Sequence, residues 1–176
     1  MGGLHSKFFF TWSQMENMLK VCPKKLGAAQ QEMVCWDECG KTEIVQIFIS
    51  HDGRTIKSIQ FSYAEDGEVR LSQVHGDRDT TLNLEIVTLD YPSEYLTSFS
   101  GQLNEDEDGF SIEFGTNKRR YGPFGDEDPD YDEPIPFQYK FDKQSFGGFH
   151  GGIYKNQLYT LGIFIKPIAK LGGSSK

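Results

Sequence analysis

Four histidines, His5, His51, His75 and His150, are the side chains best suited by acidity to move a proton near neutral pH. None lies in a nucleophile elbow or a metal-ligand motif. His75 and His150 occupy matching places, Val74-His75-Gly76 and Phe149-His150-Gly151, so they are expected to be turn elements copied by duplication. Catalysis is not expected. Cys22, Cys35 and Cys39 make an odd count that fits a reducing compartment better than a disulfide framework. Cys35-x3-Cys39 lacks the second ligand pair that zinc takes. Two acidic stretches, Glu105-Asp106-Glu107-Asp108 and Asp126 to Glu133, carry the oxygens that calcium uses. They lack the sharpening glycine and the spaced carboxylates of an EF-hand loop, so hydrated loops are expected, with no metal and no cofactor.

The net charge of −8 and pI near 5.0 argue against a phosphate-backbone binder, whose affinity rests on cations. Lys24-Lys25 and Lys118-Arg119-Arg120 are the cationic runs, and each is expected to be a solvated turn. Met1-Gly2-Gly3-Leu4-His5-Ser6-Lys7 fits the N-myristoylation pattern, which makes Gly2 a lipidation candidate. One acyl chain holds a membrane only marginally, and Phe8, Phe9, Phe10 and Trp12 are the candidates for a second contribution. No apolar run approaches a membrane span, and no secretory h-region follows the start. The expected location is cytoplasmic, at a membrane surface only if Gly2 is acylated.

These residues need elements to position them. Ser58-Ile59-Gln60-Phe61 and Ser111-Ile112-Glu113-Phe114 are near copies, each followed by a glycine turn. Gly147-Gly148-Phe149-His150-Gly151 closes in the same way but has no such partner upstream. Repetition at about fifty residues implies one supersecondary unit used several times around a shared core. Period-two sets run through Val45-Ile47-Ile49, Ile59-Phe61-Tyr63, Leu82-Leu84-Ile86, Phe110-Ile112-Phe114, Phe137-Tyr139-Phe141 and Leu161-Ile163-Ile165. Asp-Gly and Gly-Gly turns separate many of them. An all-β barrel, sandwich or prism follows. Residues 1–23 do not alternate; Phe8, Phe9, Trp12, Met15 and Met18-Leu19 suit one face of a short helix that Pro23 ends. The expected organisation is an extension over 1–23, one domain over 24–168 and a tail over 169–176.

Lys25-Leu26-Gly27, Trp36-Asp37-Glu38, Ile44-Val45-Gln46-Ile47 and Ile56 to Phe61 resemble, in order and spacing, the opening of a jacalin-related lectin domain. The resemblance continues through Leu89 to Thr97, Ser100-Gly101, Thr116-Asn117, Gly122-Pro123-Phe124-Gly125, Gly148 to Gly151 and the closing Leu161 to Pro167. It implies a β-prism I fold of three four-stranded Greek-key sheets about a pseudo-threefold axis. It also implies a plant lectin-like protein of defence or stress that binds mannose- or galactose-type sugars without metal or catalysis.

By the same resemblance, mannose binders carry a Gly-Gly turn near the domain start and Gly-x-x-x-Asp before the last strand. The aspartate accepts charge-assisted hydrogen bonds from sugar hydroxyls. Here Lys155 stands at that glycine and Tyr159 at that aspartate, while Ala28-Ala29-Gln30-Gln31 replaces the glycine pair. A one-gap alternative reads Gly152-Ile153-Tyr154-Lys155-Asn156. The site expected by position is Gly27, Gly151, Gly152, Lys155, Asn156, Gln157, Leu158 and Tyr159. Its ligand is a mannose-type or complex glycan, or a protein partner on a scaffold that has lost sugar binding. Family members commonly dimerise, so a homodimer is a further expectation.

Overall fold

The computed structural model describes residues 17–23, 32–53, 55–79, 83–103, 110–125 and 134–167, and every regular element among them is a strand. Three antiparallel hairpins organise the chain. They are β3 (Ile44–His51) with β4 (Ile56–Glu65), β8 (Leu96–Leu103) with β9 (Phe110–Thr116), and β12 (Phe146–Tyr154) with β13 (Gln157–Ile165). Each gains an outer strand on either side. β5 (Glu68–Leu71) and β6 (His75–Gly76) follow one another along β4, and β7 (Asn83–Thr88) pairs β3. β10 (Arg120–Gly125) pairs β9, and β11 (Ile135–Lys140) pairs β8. The third hairpin takes its flanks from the other end of the sequence: β1 (Leu19–Val21) pairs β13 and β2 (Val34–Asp37) pairs β12. With β5 and β6 counted as one interrupted edge, the result is three four-stranded antiparallel sheets.

The threefold relation lies in the registers. Ile47 faces Phe61, Phe99 faces Phe114, and Phe149 faces Ile163, one pair per sheet. None of the six is more than 1% exposed. Phe149 occupies the centre: its ring stacks on Phe61 at 4.6 Å and meets Phe99 and Phe114 edge-on at 6.1 and 5.9 Å. One row further out, Ile49 faces Ile59, but Gly101 faces Ile112 and Gly151 faces Leu161. The two glycines are required because a Cβ would collide first with the Ser111 or Thr160 carbonyl oxygen and then with the ring of Phe137 in β11 or Trp36 in β2.

This geometry supplies the missing third copy. Thr160-Leu161-Gly162-Ile163 in β13 stands where Ser58-Ile59-Gln60-Phe61 and Ser111-Ile112-Glu113-Phe114 stand in β4 and β9. It lies downstream of Phe149-His150-Gly151, because the two ends of the sequence build this sheet together.

Two expectations about the elements need correction. The helix placed over the N-terminal segment does not take in Leu19, which opens β1 and pairs with Ile165. β13 would otherwise present an unpaired edge, and three residues of strand cover it. In β7 the Leu84 and Ile86 side chains face outward, 56% and 51% exposed, and the core position is Val87. Alternation identifies a strand but not which of its faces is inside.

Candidate functional site

The β12–β13 hairpin turns through Lys155 and Asn156, both with positive φ (47° and 65°), between the closing pair Tyr154 and Gln157. That is the geometry of a two-residue primed turn, and asparagine tolerates it well. The register shifts between Gly152 and Ile153, which leaves Tyr159 as an extra residue in β13. The bulge brings the Tyr154 and Tyr159 rings into an edge-on pair at 5.5 Å, with Lys155 Nζ 5.1 Å from the Tyr154 ring centre. Both tyrosines are half-buried, and Lys155 and Asn156 are exposed. Asn156 Nδ2 donates to Asp77 Oδ1 at 3.5 Å, tying the turn to the segment after β6.

Not every residue expected here faces a ligand. Leu158 is 1% exposed and packs in the core, and Gly151 lies beneath Trp36, so both contribute backbone alone. Gly152 is covered by the side chain of Met33, whose Sδ also lies 3.9 Å from Thr160 Oγ1. Lys155, Asn156, Gln157 and Tyr159 share the hairpin end. Gly27, Gly2 and both acidic stretches lie outside the described residues. Met33 and Asp77 were not legible as neighbours of this turn, since each is brought there by strand pairing far along the chain.

His75 and His150, expected to match as turn elements, do not: His75 lies in the edge strand β6 beside β4, and His150 lies inside β12 between β13 and β2, so their likeness is one of local sequence alone. His75 Nε2 donates to Glu38 Oε1 at 2.7 Å, and its ring stacks on Trp36 at 3.8 Å, linking β6 to the end of β2. His150 Nε2 donates to the Val21 carbonyl at 2.9 Å and so holds β1 against its sheet. Burial, with Lys20 nearby, pushes the His150 pKa down to about 4, which keeps the ring neutral at pH 7. His51 Nδ1 accepts the Gly53 amide at 3.1 Å in the β3–β4 turn.

A buried carboxylate not marked by any periodicity lies at the other end of the prism. Glu94 accepts from the Asp90 amide at 3.1 Å, Thr116 Oγ1 at 2.8 Å and the Tyr121 hydroxyl at 3.0 Å, with Arg119 Nε 3.5 Å away. Burial alone raises its pKa, but these hydrogen bonds and the Arg119 charge outweigh that and hold it below the usual value. Lys118 and Arg119 form the turn between β9 and β10, each paired with Asp90, and Arg120 pairs with Glu113 at 3.1 Å. Among the described residues no group of three or more His, Cys, Asp or Glu side chains is arranged to hold a metal ion.

Known proteins share the fold and much of the sequence. The chain is 36% identical over 149 residues to Protein RESTRICTED TEV MOVEMENT 1 of Arabidopsis thaliana, covering 81% of this chain and 83% of that protein. Jacalin-related lectin 2 of Arabidopsis thaliana is 31% identical over 164 residues, covering 87% and 89%. The structure of a mannose-specific jacalin-related lectin from Morus nigra in complex with mannose superposes with a TM-score of 0.63 at 26% identity, over 85% of this chain and 95% of that one. The Jacalin-like lectin domain matches residues 27–164, and the chain belongs to that family.

Proposed function

We infer that the protein is a lectin-like binding protein whose β12–β13 hairpin end takes an extended, mannose-containing glycan rather than a single sugar. The observation that carries this reading is the Tyr154–Tyr159 pair beside the left-handed Lys155-Asn156 turn. Without an aspartate at 159, a monosaccharide forgoes a charged acceptor, a loss of about 2–3 kcal/mol. Two half-exposed rings offer apolar faces over more than one sugar unit in its place. The mannose complex of the Morus nigra relative supports mannose as the sugar class. The engaged histidines support binding over catalysis, and three cysteines present as thiols fit a cytoplasmic setting.

A second reading is a protein-interaction scaffold on the same fold. It is favoured by Lys155 and Tyr159, which stand where the family resemblance places the sugar-binding glycine and aspartate, and its setting would be plant defence or stress. A glycan array read with wild type and Tyr159→Ala separates the two. Signal on mannose-rich oligosaccharides that the variant loses supports the glycan reading. No sugar-competable signal on any glycan overturns it and leaves the scaffold.

A further inference from the structure

The outer face of the β10-β9-β8-β11 sheet carries a groove of about 450 Å³ whose lining differs from the rest of the molecule. Four of its ten lining residues are lysine or arginine and none is a carboxylate, whereas the chain has 18 such cations in 176 residues and a net charge of −8. The register explains how it is built. Arg120 faces Gly115, Gly115 faces Ser98, and Ser98 faces Lys140, one row across all four strands. Gly115 leaves the floor open, since a Cβ there would collide with Ser98 Oγ. Cationic walls stand at either end of the row, three strand spacings or about 14 Å apart.

Lys118 and Arg119 are engaged by Asp90 and Glu94, whereas Arg120 and Lys140 keep hydrogen-bonding capacity for a ligand. Arg120 is 68% exposed and uses one contact on Glu113, while its guanidinium has five donors. Lys140 is exposed and pairs with no carboxylate among the described residues. Between the walls lie hydroxyls and amides, including Ser98, Thr116 and Gln138, with no aromatic or aliphatic side chain. Protein interfaces anchor on tryptophan and tyrosine as well as arginine, and this surface has only the arginines. A polyhydroxylated chain with several anionic groups does match it. Repulsion from the chain's overall negative charge fades beyond about 8 Å at physiological salt.

We propose that this groove is a second binding site, separate from the β12–β13 hairpin, for an acidic oligosaccharide bearing sulfate or carboxylate groups. The probe is dextran sulfate, compared with uncharged dextran and with poly-L-glutamate, bound to the full chain in 0.15 M salt. Dextran sulfate is expected to bind and dextran not to. Arg120→Gln and Lys140→Gln each weaken binding about fivefold, and together about twentyfold, while Arg70→Gln on another sheet leaves it unchanged. Unaltered affinity in the double variant overturns the site, as does an equal loss in Arg70→Gln. Poly-L-glutamate binding as tightly, with the same dependence on Arg120 and Lys140, overturns the carbohydrate class and assigns the groove to acidic peptides. A matching loss in Tyr159→Asp moves the ligand to the hairpin end and also overturns the groove.

Discussion

A carboxylate sealed from solvent survives only where donors replace the water it has lost, and Glu94 has such donors from a turn amide, two hydroxyls and a guanidinium. Glu94→Gln places amide hydrogens against these donors and is expected to cost about 2 kcal/mol, measured by urea denaturation at pH 7. The wild-type carboxyl has a lowered pKa in the fold, so its contribution is present above the ordinary value of 4.5 and is lost as pH falls through the folded value. The variant therefore shows less acid destabilisation in that range, and an identical acid limb would contradict the account. Tyr159 and Lys155 are testable in the opposite direction. Installing the family's pattern with Lys155→Gly and Tyr159→Asp supplies a charged acceptor and relaxes the turn. Titration calorimetry with methyl mannoside is expected to show at least tenfold tighter binding, about 1.4 kcal/mol, in the double variant. No gain would mean that the backbone around 154–160 is not shaped for a sugar ring.

At the scale of elements, the short β1 depends on His150. The strand has three residues, and its Val21 carbonyl accepts from the neutral imidazole. The His150 pKa is lowered to about 4 in the fold, chiefly by burial, so the unfolded chain takes up the proton first as pH falls. Stability is unaffected by this group above pH 6.5 and declines between about 6.5 and 4. Part of the full shift is screened by residual exposure, so the loss is about 2 kcal/mol. Thermal melts at pH 7.5 and 4.5 measure it, and His150→Gln, which keeps a donor, is expected to flatten the slope in that window. Hydrogen exchange at the Val21 amide rising at pH 4.5, relative to the intrinsic rate, locates the effect. An unchanged slope in the variant would remove His150 as its source. What was legible in the sequence also belongs to this scale. Period-two alternation marked the strands, because each hairpin buries one face of a pleat. It placed β7 correctly as a strand but could not reveal that the Leu84 and Ile86 face lies outside. The candidate turn was located by resemblance at Lys155 to Tyr159, whereas Met33 and Asp77 arrive through pairings that no local pattern encodes.

At the scale of the molecule, the first and last strands of the described chain belong to one sheet of the core. β1 and β2 complete the sheet whose hairpin ends at Ile165, so one of the three walls closes only when both termini of the domain meet. The third Ser-Ile-x-Phe equivalent, Thr160-Leu161-Gly162-Ile163, therefore follows Phe149-His150-Gly151 in the sequence and does not precede it. This closure also concentrates the shared packing on one residue of that wall. Phe149 touches Phe61 in one sheet and both Phe99 and Phe114 in another, so all three sheets meet on a single ring. Phe149→Ala removes the ring from a site with 0% exposure and leaves a void among Phe61, Phe99 and Phe114. The expected cost is about 3–5 kcal/mol, a large share of a typical domain's stability. Phe48→Ala, on the half-buried outer face of β3, is expected to cost less than half as much. If the sheets form one cooperative unit, unfolding of Phe149→Ala followed by far-ultraviolet and by aromatic near-ultraviolet dichroism remains coincident, with a lower midpoint. Separate transitions would mean that the walls hold independently and that the central ring is not what couples them.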